Sequence, residues 1–213
     1  MKNEQTLGVK NAENLNGAAK TENAAQGFKG KNKKSEISTT KKIAGTGIFA
    51  ALAFVISLLE FPVFPDASFL KLDFSLVFIL LAGFIFGPIS GFAAAGVKEL
   101  LRFAMGSSTG GVGEIANFAV AVSFIAIPTI VYAYKKGFVT VAITLVGGSV
   151  LEMATSLLVN RFINFPLFMG AGAAAVFAEL WGFVLLFNFI KCVVISVLTI
   201  LVYKKVSFLV KKI

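Results

Sequence analysis

The chain has no histidine, and its 213 residues include one cysteine. Without histidine it lacks the commonest general base and the commonest metal ligand, which excludes a Ser-His-Asp triad and a zinc site. A single cysteine, Cys192, cannot form a disulfide within the chain. Charged residues are also scarce, at 15% against 57% hydrophobic residues, and the mean hydropathy is +0.85. Soluble domains rarely exceed about half apolar residues, so this composition indicates an integral membrane protein.

Acidic residues are few, with 11 against 20 lysines and arginines, and the formal charge is +9. A basic protein can bind nucleic acid, but here the basic residues lie in tails and in short loops between apolar runs. Lysine and arginine accumulate on the cytoplasmic side of membrane proteins. The positive charge therefore marks which loops lie in the cytoplasm. We expect the lipid bilayer as a partner, and no nucleic acid.

Residues 1–42 contain nine lysines, four glutamates and one aromatic residue, Phe28. Such a segment cannot bury enough apolar surface to fold alone, and it lacks the apolar stretch of a signal peptide. We expect a disordered basic cytoplasmic tail over residues 1–42. A transmembrane domain should follow over residues 43–205, and a short basic C-terminal tail over residues 206–213.

Apolar runs of about 20 residues fill the segment 43–205, long enough to cross a bilayer as helices. The stretch 74–102 could form one span or two, because Gly87-Pro88 interrupts it. One span would place Lys135, Lys136 and the C-terminal lysines outside the cell, against the positive-inside rule. Two spans return them to the cytoplasm. The sequence thus predicts an all-α integral membrane protein with six transmembrane helices and both termini cytoplasmic.

Ionisable residues inside membrane helices are costly, so each is a candidate functional residue. Asn188 and Lys191 are three residues apart in the last predicted helix and share a face, with Lys191 near mid-membrane. Lys191 could instead be paired with a carboxylate for structure alone. In the fifth helix Glu152, Ser156 and Asn160 repeat at intervals of four and form a second polar face, which equally suits helix packing.

Further polar residues are expected at the outer ends of the helices. Glu60 follows the first helix, beside loop residues 71–75, and Asn117 lies near the outer end of the fourth helix. The polar groups thus converge on the extracellular half, as in a pocket that captures a small molecule from outside. The glycine-rich stretch 106–113 lacks the lysine of a phosphate-binding loop, so we expect a gate over the pocket or a plain connection.

Small residues recur at intervals of four in two of the predicted helices. They are Gly83, Gly87, Gly91 and Ala95 in one stretch, and Gly47 and Ala51 in the other. Such spacing favours close helix contact, either inside the bundle or with a partner protein.

Four segments occur in an order that resembles a known transporter family. They are residues 58–62 (Leu-Leu-Glu-Phe-Pro), 69–75 (Phe-Leu-Lys-Leu-Asp-Phe-Ser), 82–88 (Ala-Gly-Phe-Ile-Phe-Gly-Pro) and 107–118 (Ser-Ser-Thr-Gly-Gly-Val-Gly-Glu-Ile-Ala-Asn-Phe). Over about residues 43–205 the chain resembles the riboflavin-specific substrate-binding (S) components of energy-coupling factor (ECF) transporters, the RibU family. The resemblance implies high-affinity capture of riboflavin and its uptake across the bacterial plasma membrane by a multi-pass protein. It also implies two kinds of partner, a coupling transmembrane protein and two ATPase subunits.

The resemblance further implies which side chains bind the substrate. A glutamate after the first helix matches Glu60, an Asn–Lys pair in the last helix matches Asn188 and Lys191, and an asparagine at the outer end of helix five matches Asn160. With Asn117, these residues make up the predicted substrate-binding site. Riboflavin is expected as transported substrate, with no cofactor, no metal ion and no catalytic residue.

Two other classes of function stay open. A self-sufficient secondary transporter for a flavin or another small vitamin would need a coupling residue, for which Glu152 is the candidate. A membrane enzyme would need serine, lysine or carboxylate chemistry, and no pairing of the right spacing is visible. The chain carries no Walker sequence and no set of carboxylates suited to a proton relay. We therefore expect a capture subunit without catalysis.

Overall fold

The computed structural model describes residues 37–65, 70–107 and 109–212, with side chains described as far as Lys205. Most of the described chain is helical. Its elements are α1 (Thr39–Ser57), β1 (Phe61–Pro62), β2 (Lys71–Leu72), α2 (Ser75–Phe86), α3 (Pro88–Ala104), α4 (Val112–Tyr134), α5 (Phe138–Val159), a π-helical segment (Asn160–Asn164), α6 (Phe165–Met169), a 3-10 turn (Gly170–Gly172) and α7 (Ala173–Lys212). Of the predicted N-terminal tail, residues 1–36 lie outside the described residues.

Three helical stretches of the described chain are long and apolar enough to cross a membrane: Thr39–Ser57, Val112–Tyr134 and the continuous run Phe138–Lys205. The apolar helix α2 is shorter, at 12 residues, and nine of them are buried. It is therefore enclosed by neighbouring helices, and its backbone need not match the thickness of the lipid. These features confirm the predicted class, an all-α membrane protein.

The junction between α2 and α3 lies where the sequence predicted an interruption. Gly87 has φ +105° and ψ +166°, a region open almost only to glycine, and Pro88 is the first residue of α3. The two helices approach closely, since a Cβ on Gly91 would lie 3.2 Å from the Cα of Gly83. These glycines therefore serve internal packing, whereas a Cβ on Gly47 of α1 would meet nothing within 4 Å.

One end of the bundle gathers the lysine pairs of three helices. Phe49 of α1 contacts Phe86 at the end of α2, with ring centroids 6.2 Å apart. Phe84 packs on Tyr132 of α4 at 4.8 Å, and the hydroxyls of Tyr132 and Tyr203 are 2.9 Å apart. The pairs that flank these contacts are Lys41 and Lys42, Lys135 and Lys136, and Lys204 and Lys205. We call this the lysine end. The described loop residues 58–65, 70–74, 105–107 and 109–111 lie at the other end.

Two helices extend further than the sequence predicted. Helix α1 begins at Thr39 rather than at Ile43. Helix α7 begins at Ala173, where three consecutive alanines favour helix. It continues to Lys212, past residue 205, since residues 204–212 contain no glycine or proline to end it.

Candidate functional site

The polar faces predicted on α5 and α7 meet inside the bundle. The amide nitrogen of Asn188 donates to the Ser156 hydroxyl at 2.7 Å, and the Lys191 ammonium donates to Oε1 of Glu152 at 3.0 Å. Asn160 joins them by donating to the Ser156 carbonyl oxygen at 2.8 Å. We call these five residues the α5–α7 polar cluster. It contains three of the five predicted site residues.

Because this cluster is buried, its polar groups would destabilise the fold if they lacked hydrogen-bond partners. Glu152 is fully buried and Asn188 is 3% exposed, so each needs internal partners. Both carboxylate oxygens of Glu152 have one, because the Cys192 thiol donates to Oε2 at 3.2 Å. The Lys191 side chain keeps 18% exposure, and it lies near the middle of the 40-residue α7. An ammonium is thus held in the bundle interior by one buried carboxylate.

The outer end of α5 widens into a π-helical turn, Asn160–Asn164. Pro166 lies two residues after this turn and has no amide hydrogen to donate, so regular hydrogen bonding is broken here. Asn164 donates to Oδ1 of Asn160 at 3.2 Å, while its own Oδ1 is buried and accepts no hydrogen bond within the described chain. Such π-turns are frequent at functional sites. Sequence reasoning missed Asn164, although its spacing of four from Asn160 was a signal.

The described parts of the first loop, residues 58–65 and 70–74, pack over the start of α7. They form a two-residue hairpin in which Phe61 pairs with Leu72 and Pro62 with Lys71. Leu72 is 5% exposed and belongs to a buried cluster with Phe165, Val184 and Phe187. Since Phe187 precedes Asn188, this packing brings the loop next to the polar cluster.

Glu60, at the start of the first loop, forms ion pairs with two basic side chains. Its Oε1 lies 3.0 Å from the Lys71 ammonium, and its Oε2 lies 3.0 Å from the Arg102 guanidinium. Burial by itself raises the pKa of the Glu60 carboxyl, but the hydrogen bonds from Arg102 and Lys71 outweigh it and leave the pKa lowered. Glu60 is therefore ionised at neutral pH and fixed in place.

Asp73, at the end of the first loop, links that loop to the polar cluster. Burial raises its pKa, but the Lys98 charge, the hydrogen bonds from Ser75 and the Lys191 charge together lower it. The amide of Ser75 donates to Oδ1 of Asp73 at 2.6 Å. The site residues that sequence reasoning passed over are thus Asp73 and the cations of α3. Their signal was the group of charged residues Lys98, Glu99 and Arg102 close together in one predicted membrane helix, and the structure buries Lys98 and Glu99.

Asn117 is exposed on α4. Near it, the carboxylate of Glu114 accepts hydrogen bonds from Ser107 at 2.8 Å and from Thr109 at 2.9 Å. The Thr109 hydroxyl also accepts from the amide of Gly113 at 3.0 Å. The described part of the glycine-rich loop is thus held by hydrogen bonds that cap the start of α4. The role of Asn117 in binding stays a prediction.

A groove of about 240 Å³ lies beside the outer ends of α5 and α7. Its lining residues are Leu157, Leu158, Arg161, Phe162, Phe177 and Trp181. Only Arg161 is charged, and its guanidinium faces the rings of Phe162 and Phe177 at 5.9 and 5.6 Å. Because Leu158 and Phe162 are more than half exposed, this groove opens on the outer surface of the bundle and not on the polar cluster.

The chemistry of the cluster suits recognition of a polar ligand. An ammonium, carboxamides and a hydroxyl supply donors and acceptors, and the leucines and phenylalanines of the first loop supply apolar cover. Within residues 37–65, 70–107 and 109–212 there is no group of three or more Cys, Asp or Glu placed to hold a metal ion.

Comparison with known proteins decides the family. The family model described as ECF transporter, substrate-specific component, matches residues 41–203. The chain belongs to the substrate-specific (S) components of ECF transporters. This S component is accordingly a transporter subunit rather than an enzyme, and it is a multi-pass protein of the cell membrane.

Named relatives of this S component are transporters. It is 31% identical over 188 residues to the riboflavin transporter RibU of Staphylococcus aureus, covering 85% of this chain and 98% of the relative. It is 31% identical over 180 residues to the riboflavin transporter FmnP of Bacillus subtilis, covering 78% and 92%. A solved structure of the S component of a bacterial ECF transporter matches with a TM-score of 0.71 at 30% identity, over 82% of this chain and 99% of that one.

Proposed function

We propose that this S component captures riboflavin from outside the cell with high affinity, for ATP-driven uptake. Two relatives that it covers almost end to end are named riboflavin transporters. The observation that carries the proposal is the α5–α7 polar cluster, in which Asn188 and Lys191 are held next to the first loop.

The donors and acceptors of the site match those of a flavin. The uracil-like edge of the ring system alternates acceptors with a donor, and a carboxamide such as that of Asn188 supplies both. The Lys191 ammonium can donate to a ring carbonyl or a ribityl oxygen. Each oxygen of Glu60 already accepts one hydrogen bond and has a further lone pair for a ribityl hydroxyl. Asn160 and Asn117 complete the proposed set.

We further propose six membrane crossings, made by α1 to α5 and α7, with both termini in the cytoplasm. This topology is supported by the lysine end, where three helices bring their lysine pairs together. Placing that end in the cytoplasm satisfies the positive-inside rule. The first loop, with Glu60 and Asp73, then faces the exterior, where riboflavin arrives.

The proposed partners are a coupling transmembrane protein and two ATPase subunits, which follow from the family. Gly47 and Ala51 of α1 are exposed and leave a flat strip on its surface. Such strips allow close helix contact in membranes, so we propose that the coupling protein contacts this side of α1.

A riboflavin titration tests the function. Purified protein in detergent should quench riboflavin fluorescence saturably, with one riboflavin bound per chain. Lys136→Ala, at the lysine end, is the matched control and should leave the titration unchanged. Riboflavin fluorescence that does not respond to added wild-type protein would refute the assignment. Competition by flavin mononucleotide and roseoflavin then defines which flavin binds best.

An alternative function, transport driven by an ion gradient through Glu152, makes a different prediction. Glu152 is fully buried and held by Lys191 and Cys192, which suits a fixed structural charge. Vesicles that contain this S component alone, with an imposed proton or sodium gradient, should therefore accumulate no riboflavin. Accumulation without ATPase subunits would favour the alternative.

A further inference from the structure

Arg102 of α3 holds two separate parts of the chain at once. One guanidinium nitrogen, Nη1, donates to the carbonyl oxygen of Ser57 at 2.8 Å, in the last turn of α1. The other, Nη2, lies 3.0 Å from Oε2 of Glu60, the first charged residue of the first loop. A guanidinium presents its donors in a rigid fork, so one side chain fixes both groups in a defined geometry.

The far end of the same loop faces a buried charge of α3. Lys98 lies one helical turn before Arg102, is 6% exposed and forms a 2.6 Å ion pair with Glu99. The Lys98 charge lowers the pKa of Asp73, where the loop enters α2. Between these two ends Lys71 joins Glu60 across the hairpin. The direct bonds from α3 to the loop are therefore those of Arg102, at the start of the loop.

We infer that Arg102 is a positioning residue for substrate binding: by fixing Glu60 it holds the first loop over the polar cluster and slows the escape of bound riboflavin. The inference rests on the proposed function, since it assigns Arg102 a role at that site. Arg102 acts through Glu60 and the loop. The Glu60 and Arg102 side chains are each 22% exposed, so solvent and salt screen the pair only in part.

The test measures how fast riboflavin leaves, by stopped-flow displacement from the purified, loaded protein. Arg102→Gln removes the charge and the fork, and riboflavin should dissociate about tenfold faster, because a charge-assisted hydrogen bond to the loop is lost. Arg102→Lys keeps the charge but cannot bridge both acceptors, so its rate should be intermediate. Association rates and the stoichiometry of one should be unchanged. If Arg102→Gln does not fold, Arg102→Lys carries the test.

Two controls separate positioning from a general effect on folding. Arg161→Lys alters the other arginine of the chain, whose guanidinium faces the rings of Phe162 and Phe177, and should dissociate riboflavin at the wild-type rate. Adding Arg102→Gln to a Glu60→Gln protein should accelerate dissociation little further, since Arg102 acts through Glu60. Wild-type dissociation in Arg102→Gln and Arg102→Lys, or fewer binding sites with an unchanged rate, would overturn the inference. Failure of the wild-type protein to bind riboflavin would instead overturn the proposed function.

Discussion

At the scale of single residues, Lys191 has two roles, one structural and one proposed in substrate binding, and experiments can separate them. It neutralises buried Glu152, and it is the proposed donor to riboflavin. Lys191→Ala should weaken riboflavin binding by about 1–3 kcal/mol, and Asn188→Ala by a similar amount, because ligand polar groups lose their partners. Affinities from fluorescence titration measure this, and wild-type affinity in both variants would contradict the placement of the site.

Lys191→Ala also leaves Glu152 buried without a cation, which by itself destabilises a protein. The double variant Glu152→Gln with Lys191→Met removes both charges and is expected to fold at least as well as Lys191→Ala. Its affinity for riboflavin should stay below that of the wild-type protein, because the ammonium of Lys191 is still missing. A double variant that unfolds at a higher temperature than Lys191→Ala, yet does not regain affinity, would assign the loss of binding to the missing ammonium.

The acidic side chains of the first loop predict how stability depends on pH. The pKa values of Glu60 and Asp73 are lowered in the folded protein. Their contribution to the stability of the fold is therefore fully present above the pKa values that the same carboxyl groups have in the unfolded chain. It is lost as the pH falls through these lowered pKa values, which lie below the ordinary range of carboxyl groups. The Tm in detergent should therefore be flat from pH 7 to pH 5 and fall below that. Glu60→Gln should reduce the fall; an unchanged acid profile would contradict this account.

The sequence could predict which polar residues share a face, because helical periodicity alone decides it. Spacing of three joined Asn188 to Lys191, and spacing of four aligned Glu152, Ser156 and Asn160. It could not show that the two faces bond to each other, since the contact joins residues 32 or more positions apart. The contact between Arg102 and Glu60 was out of reach for the same reason.

At the scale of elements, the turn between α2 and α3 depends on one glycine. The φ of +105° at Gly87 is strained for any side chain, so Gly87→Ala should destabilise the protein by about 1–3 kcal/mol. Thermal unfolding in detergent measures this. Gly182→Ala is the matched control, because a Cβ there meets nothing within 4 Å and alanine favours helix. Equal Tm values for the two variants would contradict the assigned strain.

Long elements were predictable and short ones were not. Apolar length located α1, α4 and α5, and Gly87-Pro88 marked the α2–α3 boundary, because composition and backbone restriction act locally. The hairpin of Phe61–Pro62 with Lys71–Leu72 has strands of two residues, too short to show an alternating pattern. The π-turn after α5 likewise depends on how the chain packs.

At the scale of the whole molecule, labelling tests the proposed topology. The native Cys192 is 3% exposed, so a membrane-impermeant maleimide should not reach it. In intact cells the reagent should label Leu59→Cys, which lies at the first loop. It should label Lys136→Cys, at the lysine end, only after the membrane is permeabilised. Labelling of Lys136→Cys from outside would invert the orientation and remove the capture model with it.

The proposed topology makes α3 and α4 cross the same membrane with unequal lengths. Helix α3 has 17 residues and α4 has 23, which correspond to about 26 and 35 Å of rise. In that topology Ile89 and Leu100 of α3, which are more than half exposed, face lipid on the shorter side. A bilayer of uniform thickness matches only one of the two lengths, and tilting or local thinning relieves the mismatch. The proposed topology therefore predicts that the tilt of the subunit depends on the fatty-acid chain length of its host membrane.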